Sequence, residues 1–246
     1  MYRESPPPEP LRRLVRCRWE SVEPGPKRIV PDGCVDLVAG HGEVFVAGPD
    51  TAAWTSVFPP GTRLRGLRFQ PGAAAAMLGV GADELRDSRI SLTDLWNHRG
   101  ATLADEILSG RDLADAMADV ATEQAAAADP VVERMLARLT AEAARDAEIP
   151  GRGERTSRSA GPPAGAGRSE RQARRLFTLA VGYGPATYRR VLRLQRAIAL
   201  APATATLADL AVAAGYADQS HLTRECRTLT GLTPSAYFPL LRVNPG

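Results

Sequence analysis

Residues 206–227, TLADLAVAAGYADQSHLTRECR, contain two short stretches of helical periodicity on either side of Gly215. Apolar residues recur every three or four positions before that glycine, and Asp218 stands where a second helix needs an N-terminal cap. In the second stretch Leu222 and Cys226 share one face, which leaves polar side chains on the other. Two short helices joined through a glycine-containing turn predict a helix-turn-helix, whose second helix can enter a major groove.

A related pattern lies upstream. Ser169 is followed three positions later by Gln172, which is the spacing of a capping box, so we expect a helix to start there and to end at Gly182. A longer helix is expected over residues 185–200. One of its faces carries a stripe of arginines, for which a solvated surface is the favoured interpretation: Arg189, Arg193 and Arg196.

Six stretches between residues 169 and 238 carry one family pattern in the same order. They are residues 169–172, 175–177, 181–185, 193–197, 210–224 and 230–237. This part of the chain resembles the DNA-binding domain of the AraC-type transcriptional regulators. The resemblance implies two helix-turn-helix units that are joined by the long helix, each placing a recognition helix in the major groove. A helix of that length spans about 24 Å, which helps to hold two recognition helices about 34 Å apart, one turn of DNA.

The resemblance also assigns the DNA contacts by position. The first recognition helix would use Arg171, Gln172, Arg174 and Arg175. The second would use Gln219, Ser220, Thr223 and Arg224, with Arg227 on a phosphate. Arginine can read guanine through two hydrogen bonds, whereas serine, threonine and glutamine contact base edges or phosphates.

Residues 150–168, PGRGERTSRSAGPPAGAGR, depart from the family pattern. The family has an apolar helix ahead of Ser169, packed behind the first recognition helix, but this composition predicts a linker. Leu176 and Phe177 would then lose partners, and their burial is worth about 1.5–3 kcal/mol each. We therefore expect the first recognition helix to be less stable than the second. A local shift of reading frame is one hypothesis for this degenerate first helix.

The N-terminal half shows the period-two alternation of half-buried strands. Strands are expected at residues 15–20, 34–38, 44–47, 53–58 and 64–69, separated by glycine and proline turns. Short helices are expected from residue 73, and Asp129 followed by Pro130 marks the start of a further helix. The pattern predicts a small β-barrel or sandwich accompanied by helices.

Three of these segments, residues 31–37, 47–49 and 66–72, resemble a cupin-like domain that precedes this type of DNA-binding unit in bacterial regulators. The resemblance implies small-molecule sensing or dimerisation. Four aromatic side chains are candidates for an effector pocket, with ordinary core packing as the alternative: Trp19, Trp54, Phe58 and Phe69.

The composition is that of a globular protein, with 44% hydrophobic residues in a chain of 246. The net charge of +3 divides unevenly into −6 over residues 1–150, +3 over 151–168 and +6 over 169–246. A basic C-terminal third attached to an acidic body points either to a polyanionic partner or to a solvated arginine-rich surface.

Several classes of protein are not expected. The chain begins without an apolar signal-peptide core and has no run of 18 apolar residues, so neither export nor a membrane span is predicted. The three cysteines and three histidines show no metal-binding spacing: Cys17, Cys34, Cys226, His41, His98 and His221. Asp32 and Asp36 flank Cys34, where a structural turn is favoured over a thiol or acid–base site. No catalytic residue, metal or cofactor is expected.

Together these observations predict an α+β protein. Its expected parts are a small cupin-like β-barrel with helices (1–128), a connecting helix (129–149), the linker (150–168) and an all-α double helix-turn-helix (169–246). The expected function is sequence-specific, effector-responsive transcription regulation in the bacterial cytoplasm, with nucleoid association when bound. The alternatives are a regulator that has lost DNA binding and acts through protein contacts, and a cupin-type enzyme. Double-stranded DNA is the expected partner; a small-molecule effector, a second copy of the chain and RNA polymerase are further candidates.

Overall fold

The computed structural model describes residues 2–124, 129–145 and 169–239. Its N-terminal part contains two antiparallel sheets. The strands are β1 (Tyr2–Ser5), β2 (Val15–Val22), β3 (Lys27–Ile29), β4 (Asp36–Gly40), β5 (Glu43–Ala47), β6 (Trp54–Ser56), β7 (Arg63–Phe69) and β8 (Arg89–Ser91). Six of them form one sheet in the order β1-β2-β7-β4-β5-β8, and β3 pairs with β6.

The two faces of the six-stranded sheet bury different sets of side chains, as the period-two pattern requires. Leu37, Val46 and Leu67 pack against the helices that follow the sheet. Their strand neighbours Val38 and Phe45 face the opposite way and join a second cluster. A register shift between Val15 and Cys17 lets β2 contribute to both clusters, because one extra residue reverses the alternation.

Trp19 and Gly66 form a close pair across β2 and β7, where they lie in register. A Cβ atom on Gly66 would lie 2.3 Å from the Trp19 ring. The glycine therefore makes the room in which the indole lies flat on the neighbouring strand.

The predicted α+β class is confirmed, and the N-terminal strands pair in antiparallel fashion. The predicted strands correspond to β2, β4, β5, β6 and β7. The sheet is open rather than closed into a barrel, since no pairing joins its edge strands β1 and β8 within the described ranges. The small β3–β6 sheet lies over one of its faces and leaves a cavity between the two.

Nine α-helices lie in the described part of the chain, and most of them begin or end at residues that the sequence identified. They are α1 (Ala74–Leu78), α2 (Leu92–Leu108), α3 (Leu113–Gln124), α4 (Pro130–Arg145), α5 (Glu170–Val181), α6 (Pro185–Leu200), α7 (Leu207–Ala214), α8 (Gln219–Thr230) and α9 (Pro234–Tyr237). Ser169 caps α5 through a capping box, and Asp218 caps α8 by accepting a hydrogen bond from the His221 amide. Both caps were predicted, as were the bounds of α6.

Helix α4 packs on α5 and α6, and this corrects one expectation. Val132 and Leu139 of α4 are buried in one apolar cluster with Phe177 and Tyr188, and Leu176 packs against the same cluster. The prediction that Leu176 and Phe177 lack partners is therefore wrong, because a helix earlier in the chain supplies them. The residues first considered for that role, 150–168, lie outside the described ranges. The frame-shift hypothesis rests on the composition of residues 150–168, which the support of α5 by α4 leaves unchanged, so it stays a hypothesis.

Two of the three arginines in the stripe on α6 make hydrogen bonds to protein groups, so the favoured interpretation of a solvated surface is wrong for them. Arg189 donates to a Glu142 carboxylate oxygen of α4 at 2.6 Å, and Arg196 donates to the Ala213 carbonyl of α7 at 3.0 Å. Burial opposes the charged form of Glu142, but hydrogen bonds from Arg138 and Arg189 outweigh it and lower the pKa of that carboxyl. These arginines tie neighbouring helices to α6.

Replacing Leu139 by alanine tests whether α4 supports the first recognition helix. Leu139 is only 4% exposed, so Leu139→Ala should lower the free energy of unfolding by about 2–5 kcal/mol. Urea denaturation measures the loss, and hydrogen exchange should show it in the amides of α5. Val212→Ala on an exposed position of α7 is the control, and it should change stability by less than about 0.5 kcal/mol. A loss as small as that for Leu139→Ala would contradict the assignment.

Candidate nucleic-acid interface

The first group of candidate DNA contacts lies near the start of α5, where every member is exposed: Arg171, Gln172, Arg174 and Arg175. The Gln172 side-chain oxygen accepts a hydrogen bond from the Ser169 amide at 2.8 Å, so its NH₂ group is the part left to reach a partner. Arg174 pairs with Glu170 at 2.6 Å, an exposed contact that is worth little and can exchange for a phosphate.

The second group lies on α8. Ser220, Arg224 and Arg227 are exposed, whereas Gln219 and Thr223 are half-buried. The Thr223 hydroxyl donates to the Gln219 carbonyl at 2.8 Å, which turns it toward the helix backbone. Ser220, Arg224 and Arg227 are therefore the accessible members of this group, although contact of any of them with DNA stays a prediction.

His221 is part of the support of α8 rather than of its exposed face. The side chain is buried, its ring lies edge-on to Tyr216, and its Nδ1 accepts a long hydrogen bond of 3.4 Å from the Ala217 amide. It fixes the turn between α7 and α8, which is what orients the second recognition helix.

The N-terminal domain contacts the carboxyl end of α5. The Ala82 amide donates to the Leu179 carbonyl at 2.7 Å, and Arg86 donates to the Gly182 carbonyl at 3.3 Å. Gly182 has a φ of +92°, and a Cβ atom there would lie 2.3 Å from Pro49. Only glycine fits this junction, both for its backbone conformation and for the closeness of Pro49. The last carbonyls of α5 thus find their donors in the N-terminal domain.

The same domain contacts the carboxyl end of α8. The Ala53 amide donates to the Leu229 carbonyl at 2.8 Å, and Arg28 of β3 donates to the Thr230 carbonyl at 2.9 Å. A cation at this end of a helix also interacts favourably with its dipole. Both recognition helices are consequently held at their carboxyl ends by one body, while their amino-terminal halves carry exposed side chains, Arg171, Arg174 and Arg175 on α5 and Ser220 and Arg224 on α8.

A cavity of about 270 Å³ lies between the two sheets of the N-terminal domain. Three of the four predicted pocket residues line it, namely Trp19, Trp54 and Phe58. Phe69 does not, because it lies on the helix-facing side of β7 and is completely buried there. Its strand neighbour Arg68 has the opposite orientation and lines the cavity.

Sequence reasoning missed the charged groups of this cavity. Arg68 makes two hydrogen bonds of 3.0 Å to the Asp36 carboxylate and also lies 3.3 Å from Asp32 and 3.6 Å from Glu4. Burial raises the pKa of Asp36, and the Arg68 guanidinium opposes that rise. On the opposite wall Arg89 makes a two-pronged contact with Asp50 at 2.9 and 2.7 Å. The available signal was the presence of Arg65 and Arg68 between apolar residues of β7, from which only a half-buried strand was predicted.

The thiol of Cys34, which lines this cavity, is not activated as a nucleophile. Asp32 accepts a hydrogen bond from the Cys34 amide at 2.9 Å, which is the structural turn favoured from the sequence. Burial raises the pKa of the Cys34 thiol, so the thiolate is disfavoured. Within the described ranges, no three histidine, cysteine, aspartate or glutamate side chains are grouped to hold a metal ion.

Residues 164–239 match the sequence family described as a helix-turn-helix domain, in the region where α5 to α9 lie. The C-terminal domain is an AraC-type helix-turn-helix domain. Ahead of this AraC-type domain, residues 3–91 match a family described as a domain of unknown function, DUF6597. The match confirms the resemblance on which the sequence-based assignment of residues 169–238 rested.

Among solved structures, the chain is similar to ToxT from Vibrio cholerae O395 bound to (E)-4-(8-methylnaphthalen-1-yl)but-3-enoic acid, with a TM-score of 0.42 and 10% identity over 98% of this chain and 99% of that one. A second ToxT structure from Vibrio cholerae, in a P21 form, gives a TM-score of 0.42 and 10% identity over 98% of each chain. No curated protein matches the sequence. None of the described helices is long and apolar enough to cross a membrane.

Arg224 and Arg227 offer a matched pair for testing how the AraC-type domain would read DNA. If Arg224 reads a base, Arg224→Ala should cost about 1–3 kcal/mol of discrimination between a target site and a mutated site. If Arg227 binds a phosphate, Arg227→Ala should weaken binding to the target site and to the mutated site equally. It should also reduce the salt dependence of the affinity by the amount expected for about one phosphate contact. Fluorescence anisotropy with both DNAs at several salt concentrations measures both effects. Unchanged discrimination in Arg224→Ala would reject its role in base reading.

Proposed function

We propose that this protein is a sequence-specific transcriptional regulator that reads DNA with α5 and α8. The observation that supports this most directly is the exposure of polar and basic side chains on the amino-terminal halves of both helices, inside an AraC-type domain. The uneven charge agrees with it, since residues 169–246 carry +6 and residues 1–150 carry −6. Because the proposed function requires contact with the chromosome, it implies that the protein acts in the bacterial cytoplasm.

We further propose that the N-terminal domain makes DNA binding responsive to a small molecule. Residues that line the cavity alternate with residues that contact the recognition helices. Lys27 and Ile29 of β3 line the cavity, whereas Arg28 between them donates to the end of α8. Asp50 lines it, and the nearby Pro49 lies against Gly182 at the end of α5. A ligand that moves these short segments would act on both helix ends.

The alternative of a regulator without DNA binding was motivated by the degenerate first unit. Burial of Phe177 against α4 weakens that motivation, because the first recognition helix has an apolar support. A cupin-type enzyme would need a cluster of metal ligands in the cavity, where the carboxylates instead contact Arg68, Arg89 and Lys27.

Genomic fragments selected by the full chain test the DNA-binding function. Mobility shifts with enriched fragments should show affinity that falls steeply with salt, with a logarithmic slope of about −0.9 for each phosphate contact. Random DNA of the same length is the control and should bind more weakly. If no fragment is enriched over random DNA at low salt, the regulator without DNA binding becomes the better description.

Arg28→Ala tests the connection between the cavity wall and α8. Arg28→Ala removes the charged donor to the Thr230 carbonyl and should loosen the carboxyl end of α8. Ordering that end when the protein binds DNA should then cost about 1 kcal/mol, so the affinity for DNA should fall about fivefold. Arg63→Ala, at an exposed arginine on the six-stranded sheet, serves as the control. Equal DNA affinities for the two variants would contradict the proposed connection.

A further inference from the structure

The cavity between the two sheets has the dimensions and walls of a small-ligand site. Its volume of about 270 Å³ is close to the lower end of the range that is typical of small-molecule pockets. Five aromatic side chains contribute to the walls: Tyr2, Trp19, Phe45, Trp54 and Phe58. Such walls suit a ligand whose body is apolar and about the size of one ring.

Negative charge exceeds positive charge along the cavity wall. The lining includes five carboxylates and three cations: Glu4, Glu23, Asp32, Asp36 and Asp50 against Lys27, Arg68 and Arg89. Arg68 alone serves three of the carboxylates, so each of them is only partly compensated. An anionic ligand would have to compete with those three for the same guanidinium, whereas a cationic ligand would reduce the repulsion between them.

Glu23 provides an independent reason to expect a ligand. Its side chain is only 1% exposed, and its Oε1 accepts hydrogen bonds from Ser21 at 2.6 Å and Lys27 at 2.9 Å. Glu23 is one of the residues that line the cavity, and its Oε2 has no hydrogen-bond partner among the described residues. A buried carboxylate oxygen without a donor is costly, so a donor supplied by a ligand would be strongly favoured.

We propose that the cavity binds a small organic cation, with its ammonium group donating to Glu23 Oε2 and its apolar body between the aromatic side chains. Cations are attracted both by carboxylates and by the faces of aromatic rings, so the two features of the wall select the same ligand class. Trp54 also lines the cavity, and its indole N–H has no acceptor among the described residues, which leaves this donor for one acceptor atom on such a ligand. The role of this cation as effector rests on the proposed regulatory function, whereas its binding does not.

Three probes of similar size and different charge test the ligand class: 2-phenylethylammonium, 2-phenylethanol and phenylacetate. Calorimetric titration of the full chain measures their affinities, and the fluorescence of Trp19 and Trp54 reports on the cavity. The ammonium probe should bind about tenfold or more tightly than the alcohol, and the carboxylate should bind most weakly. Equal or tighter binding of phenylacetate, or no saturable binding of the ammonium probe at millimolar concentration, would overturn the proposal.

Two variants with opposite expected effects separate charge recognition from a general change in packing. Glu23→Gln should weaken binding of the ammonium probe about tenfold. Lys27→Met removes the cation that competes for Glu23, so it should strengthen binding of the same probe. Glu20→Gln is the control, because Glu20 lies on the exposed side of β2. A shift in the same direction for Glu23→Gln and Lys27→Met would overturn the proposal even if one of them is less stable. Genomic DNA selection is carried out with the same protein preparations, so that ligand binding and DNA binding are tested separately. If the ammonium probe fails to bind while genomic fragments are still enriched, the cation proposal is rejected and the DNA-binding function is not.

Discussion

The burial of Phe177 against α4 and α6 is the contact on which the C-terminal half depends. This side chain is completely buried and lies edge-on to Tyr188, with Leu139 of α4 in the same cluster. Without that apolar support α5 would be a single amphipathic helix of 12 residues, too short to persist by its own propensity. Because α4 reaches α5 and also α6, it fixes the first recognition helix relative to the helix that leads to the second.

The N-terminal domain completes the arrangement from the other side. Its donors satisfy carbonyls at the ends of α5 and α8, and its cavity wall is formed in part by the same short segments. Strand β3 and the turn around Pro49 are short and lie between the cavity and the ends of the two helices. The six-stranded sheet behind them, packed on one face by helices, gives those segments a firm base.

Local features of the fold could be predicted from the sequence, since they depend on neighbouring residues. The caps at Ser169 and Asp218 and the bounds of α6 follow from spacing alone. The support of α5 by α4 could not be predicted, because the family pattern places the supporting helix directly ahead of α5 in the sequence. The orientation of Phe69 could not be predicted either, because alternation separates the two faces of a strand but does not show which face packs against the helices. Similarly, the burial of Glu23 depends on β3 and β6 folding over the main sheet.

The attachment of both recognition helices to one body has a consequence for the DNA that they could share. Helices that move independently tolerate variable spacing between the segments they read, whereas these two are held at their carboxyl ends by the same domain. Adding one base pair between two half-sites rotates the second by about a tenth of a turn around the duplex. The protein would then have to twist the DNA or release one helix, so the spacing of the half-sites becomes as much a part of the recognised sequence as the bases.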